Sequence, residues 1–210
     1  MNLDDPRARR TRDRLRAALL SLATERELND VTMSAVARHA EVNRATAYQH
    51  YADLDALIAD AMDDAVAHVA RCAALCPLDA PRGLAPEPLV DLFTHVSENA
   101  VLYRRMLSDQ GSPRFANRLR ERLAEALAAR FATGARPAGF DGVPVRTHAA
   151  YLAGALVGVI ADGVRPGAGN TGAGPEDVPT KEKPAGLAHG PGAADGADSL
   201  ALATWRLLRG

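Results

Sequence analysis

The chain has no surplus of either charge: Lys+Arg total 25 against Asp+Glu 26, a formal net charge of -1 over 210 residues. Bulk basicity therefore gives no sign of a nucleic-acid partner, although an average can hide a basic segment. Long apolar runs are also missing. The longest, Ala149 to Ala161, is thirteen residues, whereas a membrane-crossing helix needs about 20, so no membrane partner is expected. Six Arg lie within residues 7–16, but no apolar stretch with a small-residue cleavage site follows them. The expectation is a cytoplasmic protein, neither exported nor anchored. Two cysteines, Cys72 and Cys76, offer no disulfide framework. Aromatics are 4%, and β-branched residues are scarce beside Ala, Leu and Arg, which favours helix over sheet. Lys is nearly absent: Lys181 and Lys183 stand against 23 Arg, a bias that genomic base composition accounts for. No Gly-rich phosphate loop, nucleophile elbow or coherent carboxylate pair is present, so neither an enzyme nor a cofactor is expected.

What is present is helical periodicity. Within residues 9–27, Leu15, Ala18, Leu19 and Leu22 recur at the spacing of one helix face, and Asn29-Asp30 breaks the pattern. A short second helix is predicted after Thr32, a natural N-cap, with Met33, Val36, Ala37 and Ala40 on its apolar side. Glu41-Val42-Asn43 leaves room only for a tight turn, and Asn43 can cap a third helix through Tyr51. Two short helices joined by a three-residue turn, behind a longer one, describe a helix-turn-helix.

Asp53 caps a predicted long fourth helix with Leu54, Leu57, Ile58, Ala61, Met62, Ala65, Val69, Cys72 and Cys76 on one stripe, and Pro77 stops it. Residues 77–88 hold four Pro and read as a linker. Leu89, Leu92, Phe93 and Val96 mark another helix, which Val101 to Leu107 extends or follows. Ser112-Pro113 signals the start of a helix through Phe131, with Phe115, Leu119, Leu123 and Leu127 inward. A further helix is expected over 145–163 and a short last one over 199–208. Residues 166–194 contain seven Gly and five Pro, too little apolar surface to offset ordering entropy, and read as a flexible insertion. No strand pattern appears, so the fold class is all-α.

Function concentrates at the third helix. A recognition helix must present side chains to base edges at its N-terminal end while other groups hold phosphates. Arg44, at the first helical position, can fork onto a guanine or pair with phosphate, and Gln49 can reach an adenine edge or a phosphate. Thr46 and Tyr48 carry neutral hydroxyls suited to phosphate oxygens, and His50 can donate likewise. The free N–H groups of the helix after Thr32 favour an anion. Arg7, Arg9, Arg10, Arg12, Arg14 and Arg16 form either a solvated helix face or a basic arm for phosphate or minor groove.

The run Val31-Thr32-Met33-Ser34-Ala35-Val36-Ala37-Arg38-His39-Ala40-Glu41-Val42-Asn43-Arg44-Ala45-Thr46-Ala47-Tyr48-Gln49-His50-Tyr51 resembles the DNA-binding domain of TetR-family transcriptional regulators. The register holds over residues 9–62, with the Thr-initiated second helix, the Ala40-Glu41-Val42 turn and Thr-x-Tyr-x-His-Tyr in the recognition helix. The resemblance implies a helix-turn-helix domain over residues 1–53 and a helical ligand-binding and dimerisation domain over 54–210. It places Thr32, Ser34, Arg44, Ala45, Thr46, Tyr48 and His50 at the DNA surface; Arg9, Arg10, Asn43 and Gln49 join them as candidates. Tyr51 stands where the family has a Phe and is expected in the core. Two departures matter. Glu41 stands where the turn usually has Gly, so a left-handed backbone there would carry strain. Leu54 stands where a Lys commonly holds a phosphate, so affinity and salt dependence should fall.

The resemblance further implies a homodimer that is released from a pseudo-palindromic double-stranded DNA operator by a small-molecule effector. Helix 145–163 suits a helix–helix interface because Ala150, Gly154, Ala155, Gly158 and Ala161 permit close approach, burial within one subunit being the other reading; residues 199–209 complete the expected dimer contact. Met62, Val66, Phe93, Tyr103, Phe115 and Tyr151 are candidate ligand-binding residues, with His95, Asn99, Tyr103 and His148 as polar groups that could orient a ligand. His68, Cys72 and Cys76 recur every four residues, so an adjacent pair could chelate a soft metal, but all three cannot reach one ion. Because Cys72 and Cys76 also continue the apolar stripe, no metal site is assigned. A metal- or thiol-responsive regulator working through these residues, and a helical ligand-binding protein without DNA binding, are the alternatives.

Overall fold

A computed structural model describes residues 5–77, 80–134, 136–137, 139–166 and 192–208, the side chains of the last segment from residue 196. Residues 167–191, most of the expected insertion, lie outside the described residues, as does residue 209 of the expected dimer contact. Every regular element among the described residues is helical: α1 Pro6–Glu25, α2 Met33–His39, α3 Arg44–His50, α4 Leu54–Ala61, α5 Asp63–Leu75, α6 Glu87–Glu98, α7 Ala100–Leu107, α8 Pro113–Ala132, α9 Val145–Gly163 and α10 Gly192–Leu208.

The caps expected from the sequence form. Thr32 Oγ1 accepts from Ala35 N at 3.1 Å, Asn43 Oδ1 from Ala45 N at 2.8 Å, Asp53 Oδ1 from Ala56 N at 2.6 Å and Ser112 Oγ from Phe115 N at 3.2 Å. Each satisfies an orphan backbone donor, stabilising its helix by about 1 kcal/mol. Two elements differ from expectation. The predicted single helix from Leu54 is two, α4 and α5, broken at Met62. Asp63 and Asp64 then occupy the first turn of α5, where the helix dipole favours negative charge. The last helix begins at Gly192, inside the expected insertion, rather than at 199.

Between α2 and α3, Glu41 adopts φ 52°, the left-handed conformation that its position in the turn demands and that costs a side-chain-bearing residue about 1 kcal/mol or more. Arg14 reaches across from α1 to donate to both the Glu41 carbonyl, at 3.3 Å, and its carboxylate, at 3.2 Å. This exposed pair offsets only part of the strain.

In the larger domain α8 packs along α9 and against α5, while α10 packs on α6. Trp205 of α10 is fully buried, and its indole N–H donates to the Pro81 carbonyl at 2.8 Å, fastening the Pro-rich linker to the last helix. Gly163 lets α10 approach α9: a Cβ there would lie 2.5 Å from Leu200.

His148 is buried on α9 and stacked between Phe140 and Phe131, at centroid distances of 4.0 and 5.0 Å. Arg136 Nε donates to its Nδ1 at 3.1 Å. Burial first, and the Arg136 charge second, push its pKa below the ordinary histidine value. The unfolded chain therefore takes up this proton first as pH falls. Stability is complete above about pH 6.5 and declines as pH drops below it. Melting temperatures measured between pH 7.5 and 5 should fall in the parent protein and fall less steeply in His148→Phe; equal slopes would refute the assignment.

Candidate nucleic-acid interface

Helix α3 is half of a small wedge whose inner side is closed and outer side open. Helix α3 packs on α2, with Ala47 fully buried and Tyr51 5% exposed. Arg44, Ala45, Tyr48 and Gln49 are exposed, while Thr46 and His50 are partly so. The helical period thus puts the proposed base- and phosphate-contacting residues on the solvent side. Arg44 lies over the Tyr48 ring, its guanidinium carbon 5.6 Å from the centroid. This cation–π contact holds the fork and the phenol hydroxyl side by side at the outer surface. Thr32 is exposed and Ser34 half-buried at the start of α2. Asn43 is exposed but its amide oxygen is engaged in the α3 cap. Burial and the nearby Arg12 charge lower the pKa of His50, so its ring is neutral at physiological pH.

The basic start of α1 is less available than its count suggests. Arg12 pairs with Asp60 at 3.0 Å, Arg14 with Glu41 at 3.2 Å, and Arg16 reaches Asp13, Asp60 and Asp64 between 3.6 and 3.9 Å. Arg7, Arg9 and Arg10 are exposed and form no ion pair among the described residues. They are the arginines left to meet phosphate.

A network with no signature in the sequence anchors the recognition helix. Tyr51 O–H donates to Asp60 Oδ2, Arg12 donates to Asp60 Oδ1 at 3.0 Å, and Arg12 Nε donates to the Tyr51 oxygen at 3.3 Å. Burial first, then the hydrogen bond to Asp60, push the Tyr51 pKa up to about 12. The phenol therefore stays a donor at any physiological pH. One side chain each from α1 and α4, with the residue that ends α3, thus sets the angle of α3. Tyr in place of Phe supplies the polar handle. Asp60 gives no sequence signal because its partners lie 9 and 48 residues away.

Helices α4 and α5 connect this wedge to the larger domain. Ser112 Oγ donates to Asp55 at 3.0 Å, Arg114 pairs with Asp53 at 3.1 Å, and Arg118 pairs with Asp63. All three contacts join the start of α8 to α4 or the start of α5.

Of the ligand-binding candidates, Met62, Val66, Phe93, Tyr103 and Phe115 come together in the core, each 2% exposed or less. Tyr151 does not: it is 69% exposed, because it falls on the outer face of α9 while Leu152, Leu156 and Ile160 fill the inner one. An apolar cavity beside Cys76, Leu89, Leu127 and Leu156 measures about 20 Å³, room for no more than a water. Burial raises the pKa of both thiols, that of Cys76 to about 11. Neither is the low-pKa thiolate that thiol sensing requires.

The structure also divides the His68, Cys72 and Cys76 series. Cys76 turns into the core, while His68 Nε2 lies 3.5 Å from Cys72 Sγ, and Cys72 Sγ lies 3.8 Å from Asp91 Oδ2 of α6. The His95 ring, also on α6, sits with its centroid 4.5 Å from that of His68. Sequence reasoning does not join Asp91 and His95 to His68 and Cys72. The signal is there as a second i, i+4 pair, but only packing of α5 on α6 brings the two pairs together.

An all-helical chain with a capped two-helix wedge, an outward recognition helix and a larger helical domain behind it defines a helix-turn-helix DNA-binding protein. Residues 15–61 match the family model of "Bacterial regulatory proteins, tetR family". Residues 15–61 are therefore a DNA-binding domain of the TetR type. No curated protein matches the chain. Among solved structures it is similar to Salmonella enterica GusR, at 17% identity with TM-score 0.61, over 99% of this chain and 97% of that one. It is also similar to a TetR transcriptional regulator from Streptococcus agalactiae 2603V, at 22% identity with TM-score 0.54, over 76% of this chain and 85% of that one. At these identities the likeness concerns the fold. No described helix is long and apolar enough to cross a membrane.

Proposed function

We propose that the protein is a homodimeric, cytoplasmic repressor that places two copies of α3 in successive major grooves of a pseudo-palindromic operator and lets go when an effector binds among α5–α9. The observation that carries this reading is the exposed Arg44–Tyr48 pair on a helix whose opposite side is locked to α1 and α4. Such a helix can enter a groove as a rigid body, with Arg44 and Gln49 facing bases and Thr32, Ser34, Thr46, Tyr48 and the N-terminal arginines facing phosphates.

Dimerisation is supported by a face that no other described residue covers. Ala150, Tyr151, Gly154, Ala155 and Gly158 are exposed along α9, and a Cβ added at Gly154 or Gly158 would meet no atom within 4 Å. Alongside runs a groove of about 600 Å³ that Ala124, Ala128, Ala129 and Ala132 of α8 line. Two copies of α8 and α9 can thus form a four-helix contact. On the last helix Ala197, Ala201 and Trp205 are buried within the subunit, while Ala203, Arg206 and Leu207 are exposed and leave an outer face for the contact. An effector that shifts α8 moves Asp53, Asp55 and Asp63, and with them α4, Asp60 and α3. That alters the distance between recognition helices in the dimer.

Selection of bound sequences from random duplex DNA, followed by footprinting, tests the reading. The expected result is a two-fold symmetric site whose half-sites lie about 34–36 Å apart. Failure to enrich any sequence, with no salt-sensitive binding, would leave a helical protein without DNA binding.

A further inference from the structure

Two helices of the larger domain each present an i, i+4 pair of metal-binding side chains, and the pairs face each other: His68 and Cys72 on α5, Asp91 and His95 on α6. Residues four apart on a helix project from the same side, so His68, Cys72 and Asp91 close into one cluster, with the His95 ring beside His68. One donor atom each of His68, Cys72 and Asp91 lies within 4.8 Å of the other two. The Cys72–His68 and Cys72–Asp91 separations are 3.5 and 3.8 Å. Zn–S bonds of about 2.3 Å and Zn–N or Zn–O bonds of about 2.0–2.2 Å place tetrahedral ligands roughly 3.3–3.8 Å apart, so two edges of the polyhedron are already at length. Two further atoms nearby want a partner. His95 Nε2 is buried and without a hydrogen-bond partner. The hydroxyl of Tyr103, a fully buried residue edge-on to His95 at 6.0 Å, has none either. Buried polar atoms left unpaired are uncommon in native proteins and call for an explanation.

We propose that His68, Cys72 and Asp91, with His95 as fourth ligand, bind one divalent transition-metal ion of the zinc class. One thiolate, imidazole nitrogens and one carboxylate are a donor set for a borderline-soft ion rather than for calcium or magnesium, which take oxygen. Asp91 is exposed and gives the ion its entry. Binding forms the metal–sulfur bond at the cost of the Cys72 S–H bond, and the proton passes to water with no change of oxidation state. In the present geometry Arg71 donates to His68 Nδ1 at 3.3 Å, which leaves the ring proton on Nε2. Coordination moves that proton to Nδ1 and turns the exposed Arg71 side chain outward. The site joins α5 to α6 and does not depend on how the protein binds DNA. Cys76 takes no part in it.

Titration of the full-length metal-free protein with Co²⁺, then displacement by Zn²⁺, tests the assignment. The expected spectrum has intense tetrahedral d–d bands and a thiolate-to-metal charge-transfer band that saturate at one ion per chain. Cys72→Ser should abolish the charge-transfer band and Asp91→Ala should weaken binding more than about tenfold, while Cys76→Ser leaves both as in the parent. Asp91 is exposed, so its variant retains the fold and remains informative if Cys72→Ser does not. Absence of the charge-transfer band in the parent protein, or parental affinity in Asp91→Ala, overturns the proposal.

Discussion

Arg44→Ala combined with Tyr48→Phe should weaken binding to the selected operator by roughly two to three powers of ten while leaving the fold intact. A forked arginine contact contributes about 1–3 kcal/mol of discrimination, and a two-fold dimer loses it twice. The tyrosine change removes the hydroxyl that suits a phosphate oxygen and keeps the ring. Both residues are exposed, Tyr48 by 45%, and neither belongs to the Tyr51–Asp60–Arg12 network, so stability should stay within about 0.5 kcal/mol of the parent. The salt dependence of the single Arg44→Ala variant separates two roles. If Arg44 holds phosphate, the slope of log affinity against log salt falls by about one per subunit; if it reads a base, preference relaxes at one operator position instead. Parental affinity in the double variant would remove α3 from the interface.

The second large effect is expected on α9, and it sets subunit and dimer stability in opposition. Gly154→Glu and Gly158→Glu each replace a helix-interior glycine at which a Cβ would meet nothing within 4 Å among the described residues. Each should therefore stabilise the isolated helix by about 0.5 kcal/mol or more. Across the proposed dimer contact the same changes insert bulk and like charge where two backbones approach, which costs several kcal/mol for a desolvated pair. The double variant should sediment as a folded monomer with undiminished helical content and bind the operator weakly. A dimer of parental affinity would place the contact elsewhere.

The helix-turn-helix is legible in the amino-acid sequence because its determinants are local. Thr32, Asn43, Asp53 and Ser112 each satisfy backbone donors two or three residues ahead, and each caps the helix expected of it. The strain at Glu41 is legible for the same reason: three residues between two capped helices leave the chain no other path. What escapes the sequence is carried by distant pairs. Asp60 acquires meaning only when α1, α3 and α4 meet. Asp91 looks like an ordinary surface residue of α6, and His95 like a group that orients a ligand, until α5 packs beside them. Tyr151 reads as inward because the almost uniformly apolar 145–163 stretch has little periodicity, and only the neighbours decide which side of such a helix faces the core.

The near-zero net charge can now be placed in the molecule. The sequence by itself determined the helical class, the capped wedge and the outward residues of α3, because backbone hydrogen bonding and a 3.6-residue period act over a few positions. It also showed arginines clustered at the start of α1. Tertiary structure alone decided which arginines are free: Arg12, Arg14 and Arg16 are taken up by Asp60, Glu41, Asp13 and Asp64, leaving Arg7, Arg9 and Arg10 unpaired among the described residues. Charge is counted along a chain, but it is neutralised in space, and the partners of a charge are fixed by how helices cross.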